Sequence, residues 1–188
     1  MWKEIAVILL VLYVTRLAID MYIRKVYNKI CNQFYSNTWD GLKEKIHKHR
    51  KLCDAFSNGP WNKNVRQMYN GLCVALASIA LVNNDEVAFV NQLHEVKNED
   101  NFEMKSFMLA LYYRSAHDEV ESKKCYNAYL KCNHENKNIK VIMEHLFSEK
   151  NNTQSSDDIN TASETFKNPA IIKLLGGQGD GSKPLKKS

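Results

Sequence analysis

Between Trp2 and Leu146 the chain holds three glycines and one proline: Gly41, Gly59, Gly71 and Pro60. A β-sandwich or barrel needs a turn signal every ~8–12 residues, and breakers this sparse do not supply them. No alternating apolar–polar run is long enough to be a strand, whereas apolar residues recur at spacings of three and four. The expected fold is therefore all-α. Trp39, Leu42, Ile46, His49, Cys53 and Phe56 mark one helix face after the capping cluster Ser36-Asn37-Thr38, and Asn58-Gly59-Pro60 ends it. Val65, Met68, Tyr69, Leu72, Cys73, Leu76, Ile79 and Ala80 mark the next helix, which stops at Asn83-Asn84. Asn84 is the expected cap of a helix that begins Asp85-Glu86 and carries Phe89, Val90, Leu93 and Val96. Further helical runs cover 102–116, 120–132 and 139–147.

Residues 5–15 (IAVILLVLYVT) carry no charge, and apolar character resumes after Arg16 with Leu17, Ala18, Ile19, Met21, Tyr22 and Ile23. Residues 5–23, with Ile5, Leu9, Leu12, Arg16, Asp20 and Ile23 among them, would make about 28 Å of helix, enough to cross a hydrocarbon core of ~30 Å. Arg16 and Asp20 are four apart and are expected to pair, with Arg16 reaching the nearer interface. A cleaved signal peptide needs a small-x-small site, and Thr15-Arg16-Leu17-Ala18 puts arginine where a small residue belongs. An interfacial helix needs a polar face, which 5–14 lacks. The expectation is a single-pass membrane anchor. Arg24, Lys25 and Lys29 after the span, against Lys3 before it, place the body in the cytoplasm. Five scattered cysteines, Cys31, Cys53, Cys73, Cys125 and Cys132, agree with a reducing compartment. The sequon Asn151-Asn152-Thr153 would go unused there.

The net charge of +5 is unevenly spread: +3 over 1–35, +4 over 36–67, −4 over 68–149 and +2 over 150–188. A basic excess beside an apolar segment suits a protein whose near end faces anionic lipid. Lysine outnumbers arginine 21 to 5, so few guanidiniums are available for bidentate contacts, and a nucleic-acid partner is not expected. The densest cluster is 43–51 (KEKIHKHRK), with Lys43, Lys45, Lys48, Arg50 and Lys51. It is either a solvated helix face or a contact for anionic lipid or RNA.

One internal repeat is visible. Leu76-Ala77 followed by Asn84-Asp85-Glu86-Val87 recurs 33 residues later as Leu109-Ala110 followed by His117-Asp118-Glu119-Val120. In both copies a long apolar helix meets a short polar turn that opens a second helix. On these residues, roughly 64–133, the chain resembles the tetratricopeptide family of helical repeats. The resemblance implies an α-solenoid of antiparallel hairpins that binds peptides or proteins on a concave surface without catalysis. It would make Ala77 and Ala110 the close-approach residues, with Tyr112 and Tyr126 as bulky residues of a partner groove. No proline closes either copy, and the aromatic pattern of the family's first helix is largely missing.

Chemical motifs are sparse. His49 and Cys53 at i, i+4, and Cys125 and Cys132 with His134 nearby, could ligate a metal, but their apolar surroundings favour packed side chains. No CxxC pair, HExxH, P-loop or GxSxG occurs, so no cofactor, metal or small-molecule substrate is expected. From Lys150 the composition changes: 151–165 is rich in Asn, Ser, Thr and Asp, and an apolar island at 166–175 precedes a glycine-rich end. The island is either a docking peptide or a last helix that packs on the domain. The expected organisation is an anchor and juxtamembrane extension at 1–35, a helical-hairpin domain at 36–149 and a flexible tail at 150–188. The expected function is a membrane-tethered protein-interaction adaptor. The alternatives are a basic module acting through 43–51 and an enzyme on a helical scaffold.

Overall fold

The computed structural model describes residues 2–36, 38–57, 63–97, 103–132, 136–147 and 161–176, and among them every regular element is helical. The chain divides into two compact units, Met1–Leu72 and Cys73–Ser188, whose boundary falls inside the third helix.

The first unit is built from α1 (Trp2–Tyr35), α2 (Leu42–Ser57) and the leading half of α3 (Lys63–Val82). The hydroxyls of Ser36 and Thr38 donate to the carbonyl of Gln33 at 3.1 and 3.2 Å, which closes the last turn of α1. Trp39 lies in the connecting turn and not in a helix. Its indole donates to the Phe34 carbonyl at 3.1 Å and its ring stacks on Phe34. Gly41 takes φ +62°, a left-handed conformation that glycine adopts without steric cost, just before α2 begins. α2 then returns antiparallel along α1, burying Leu42, Ile46, His49, Cys53 and Ser57, while Ile23, Ile30 and Phe34 are the buried residues of α1. Phe56, expected on this face, stands at its margin and is exposed.

The second unit holds the trailing half of α3, α4 (Glu86–His94), α5 (Glu103–Ser115), α6 (Glu119–Tyr129), α7 (Lys137–Phe147) and α8 (Pro169–Gly176). Residues 73–79 of α3 and 107–111 of α5 are buried without interruption, which is the pattern of helices surrounded on all sides. α3 is long and apolar enough to cross a membrane, but 61% of its apolar window is buried inside the protein, so it is a core helix here.

The turns after α3 and α5 match bond for bond. Asn84 (φ 61°) and His117 (φ 57°) are left-handed, and the following amides, Asp85 and Asp118, donate to Ala80 and Tyr113 carbonyls at 2.8 and 2.9 Å. Asp85 and Asp118 then cap the next helix by accepting from Ala88 and Glu121 amides at 3.0 and 3.1 Å. The cap is thus Asp85 and not Asn84, whose left-handed backbone ends α3 instead. Ser122 seals the α5–α6 hairpin by donating to the Ala110 carbonyl at 3.0 Å.

The expected tail is partly folded. α8 opens with Asn168 as its cap and Pro169 in the first turn, and it packs on α5 through Ala170, Ile171 and Leu174. Phe166 stacks on Phe107 at 5.7 Å, and Ala162 is buried. Of the two expectations for the apolar island, the last packed helix is the one observed. The polar run 151–160 and the glycine-rich end lie outside the described residues, as does Asn151 of the sequon.

Candidate functional site: the root of the first helix

α1 has two characters along its length. Residues 2–18 are exposed on every side, from Trp2 at 80% through Ile8, Leu9, Leu10, Val11, Leu12 and Tyr13. Among the described residues nothing covers this apolar surface. Cover begins at Ile19 and Asp20, which are half-buried, and Ile23 is fully buried. The expected span of 5–23 therefore loses its last turn to the protein: Ile23 is a core residue of the first unit, because α2 packs over it.

The register of α2 on α1 is fixed by one buried bond. His49 Nε2 lies 3.0 Å from the Ile23 carbonyl oxygen, so the neutral ring donates from Nε2. Burial pushes the His49 pKa down from its ordinary value, and the bond to the carbonyl opposes that shift. This pairing sets Lys48, Arg50 and Lys51 within two residues of His49, level with Arg24 and Lys25 of α1. Lys48, Lys51, Arg24 and Lys25 are exposed and Arg50 is half-buried. His47, on the outer side of α2, is pushed down by burial and next by the positive charge of Arg50. Lys43 and Lys45 sit six and four residues ahead of His49, about 9 and 6 Å farther along the axis at ~1.5 Å per residue. The basic run that reads as one cluster in sequence is thus graded along the axis, with Lys51 nearest the base of α1 and Lys43 farthest from it.

Asp20 takes a partner other than the one expected from spacing. Arg24, one turn later, donates from Nε at 3.1 Å and forms the ion pair. Arg24 stays exposed and reaches the half-buried Asp20 carboxylate from the next turn, whereas Arg16 belongs to the bare segment.

Tyr112 and Tyr126 are both engaged in packing between helices. Tyr112 donates to Glu86 Oε2 at 2.9 Å and packs its ring, tilted by 55°, against Phe89 of α4 at 5.1 Å. Burial pushes its phenol up to about 12, helped by that carboxylate. Tyr126 stacks on Phe147 of α7 at 4.9 Å. Of the apolar residues described in the second unit, Leu130 and Ile172 are exposed, and Val87 (72% exposed) and Val120 (66%) protrude most, from equivalent places in the first turns of α4 and α6. Their 33-residue offset was the signal that could have singled them out, since an apolar residue on an otherwise polar first turn repeats with the motif.

His49 and Cys53 face α1 as packed side chains, and Cys132 donates weakly to the Ala128 carbonyl. Burial pushes the Cys125 thiol up to about 11. All five cysteines are free, and among the described residues no group of three or more His, Cys, Asp or Glu is placed to hold a metal ion.

Comparison with protein-family models, with curated proteins and with solved structures finds nothing that matches this chain. Its function is read from its own residues.

Proposed function

We propose that this protein is a membrane-tethered, non-catalytic interaction adaptor. The bare segment of α1 inserts in a bilayer as a single-pass anchor, and the helical body faces the cytoplasm. The observation that carries the first part is the change along α1, from a segment exposed on every side through Ala18 to one that buries Ile23 on one side while Met21 and Tyr22 stay exposed on the other. A water-soluble protein rarely leaves an apolar surface of this extent uncovered. A signal sequence near an N-terminus would share the composition; the continuous packing of the same helix into the first unit favours retention over removal. The orientation rests on Arg24, Lys25, Lys48, Arg50 and Lys51 gathered on the body side of the span.

The adaptor part rests on the hairpins of the second unit. The matched turns after α3 and α5 support a tetratricopeptide-like stacking, which presents an extended face for a protein or peptide partner. Val87 and Val120 are the residues on that face with apolar surface to offer. The test takes the tagged full-length chain through alkaline carbonate and detergent washes and then protease treatment of sealed membranes. Retention in the carbonate pellet with the C-terminus digested from the cytoplasmic side supports the anchor and its orientation. A shortened, soluble form sinks both. Photo-crosslinkers at positions 87 and 120 should then capture the same protein, while one at buried Ile142 should capture none; different captures at 87 and 120 would remove the shared face.

A further inference from the structure

We infer that the root of α1 and the second half of α2 form a headgroup-contacting collar for anionic phospholipid. The inference rests on the anchor reading above. The length of bare helix sets the level of the membrane surface. Residues 2–18 give 17 residues, about 25 Å at ~1.5 Å per residue, which is less than the ~30 Å of a typical hydrocarbon core. The bilayer must therefore use the whole bare segment and still meet the protein where cover begins, at Ile19 and Asp20. The headgroup layer, some 5–8 Å thick on each side, then spans the level of Ile23.

That is the level to which the His49–Ile23 bond pins α2. Because α2 runs antiparallel to α1, its residues beyond His49 approach the membrane and do not leave it. The bond therefore brings a segment some 25 residues away in sequence back to the base of the span. Lys48, Arg50 and Lys51 join Arg24 and Lys25 around one ring of the two-helix stem. Asp20, paired with Arg24, and Asp54, one turn beyond Arg50, are the acids in the same zone, so the collar keeps a net positive charge. Each basic residue held near an anionic surface contributes about 1 kcal/mol, and the attraction fades within a Debye length of ~10 Å at moderate salt. Lys43 lies about 9 Å higher on α2, close to one Debye length at moderate salt, and should feel roughly a third of it.

The test uses the full chain reconstituted in vesicles of phosphatidylcholine alone and of phosphatidylcholine with about 30 mol % phosphatidylserine, in about 0.1 M and in about 0.5 M salt. A membrane-impermeant acylating reagent is applied, and the modification rate at each lysine is read by mass spectrometry. Phosphatidylserine should slow Lys25, Lys48 and Lys51 by about threefold or more relative to Lys43 in the same molecules, and high salt should abolish the difference. Equal rates in both vesicle types overturn the collar. So does protection of the same lysines by poly-uridylate RNA with no effect of phosphatidylserine, which would assign the surface to nucleic acid. Carbonate extraction of the same vesicles reports the anchor separately: a chain released by carbonate refutes the span, whatever the lysines show.

Discussion

The phenol of Tyr27 lies directly over Gly71, and a Cβ at that position would stand 3.2 Å from Cζ, 3.3 Å from Cε2 and closer still to the hydroxyl. α1 and α3 therefore approach as they do only because residue 71 has no side chain. Tyr27 is itself held by burial and by its contact with Cys31, which together push its phenol well above the ordinary tyrosine range. Gly71→Ala should lower the stability of the first unit by about 1–3 kcal/mol, the usual cost of overpacking a core. Tyr27→Phe removes the oxygen that collides, so adding it to Gly71→Ala should restore part of the loss. Denaturant unfolding of the four proteins in micelles checks this. Purely additive losses would mean that the two residues do not meet.

α8 is expected to be an integral part of the second unit. Lys173 donates from Nζ to the Leu81 carbonyl at 2.7 Å and to Asn84 Oδ1 at 2.8 Å, placing a cation on the unsatisfied end of α3. Lys173 is exposed, so Lys173→Met should cost only about 1 kcal/mol. Leu174 is buried, and Leu174→Ala should cost about 2–4 kcal/mol through lost contacts and the cavity left behind. Thermal unfolding ranks the two. If Leu174→Ala were neutral, α8 would not be docked in solution.

The paired turns make a prediction with opposite signs. His117 is exposed and holds a left-handed φ that costs a non-glycine residue about 1 kcal/mol, so His117→Gly should stabilise the protein by about 0.5–1 kcal/mol. Asn84 holds the same conformation but also accepts from Lys173, so Asn84→Gly should gain less or nothing. Asp85→Ala and Asp118→Ala remove equivalent caps and should each cost about 1 kcal/mol. A unit in which Asp118→Ala costs nothing would show the second turn to be unformed in solution.

Helix positions were largely legible because apolar periodicity is local: the stripes at 42–53 and 65–80 appear as α2 and α3 with boundaries close to those expected. The repeat was legible at its turns for the same reason. What the stripes do not encode is which surface each face meets. His49 and Cys53 read as a conceivable ligand pair, yet both face α1, and His49 finds a backbone carbonyl that has no sequence signature. Arg16 and Asp20 have ideal spacing, but Arg24 stands equally far on the other side of Asp20, so spacing alone does not choose between them. The proposed collar draws on two helices, so only its α2 half stands out in sequence, and its level relative to the apolar segment of α1 depends on an antiparallel return. Asn84 as a cap was displaced by one residue, since a left-handed ending consumes a position that a simple cap rule assigns to the next helix.

The buried histidine also gives the stem a pH dependence whose sign follows from its surroundings. Burial holds the folded-state pKa of His49 below the ordinary value of 6.5, and the donated bond to Ile23, which the charged ring could also make, offsets only part of that shift. At pH above about 6.5 the ring is neutral in both folded and unfolded states, and its contribution to stability is fully present. As pH falls below that value the unfolded chain takes up the proton first, so stability is lost progressively until the folded-state pKa is passed. His47 is shifted in the same direction and adds to the slope. His49→Gln retains an amide that can donate to the carbonyl but cannot titrate in this range. Unfolding midpoints of the full chain in micelles, taken from about pH 7.5 to pH 5, should fall for the native protein and fall less for His49→Gln. Identical slopes for the two proteins would show that burial does not depress the His49 pKa, and that the ring is more open to water than the packing of α2 on α1 implies.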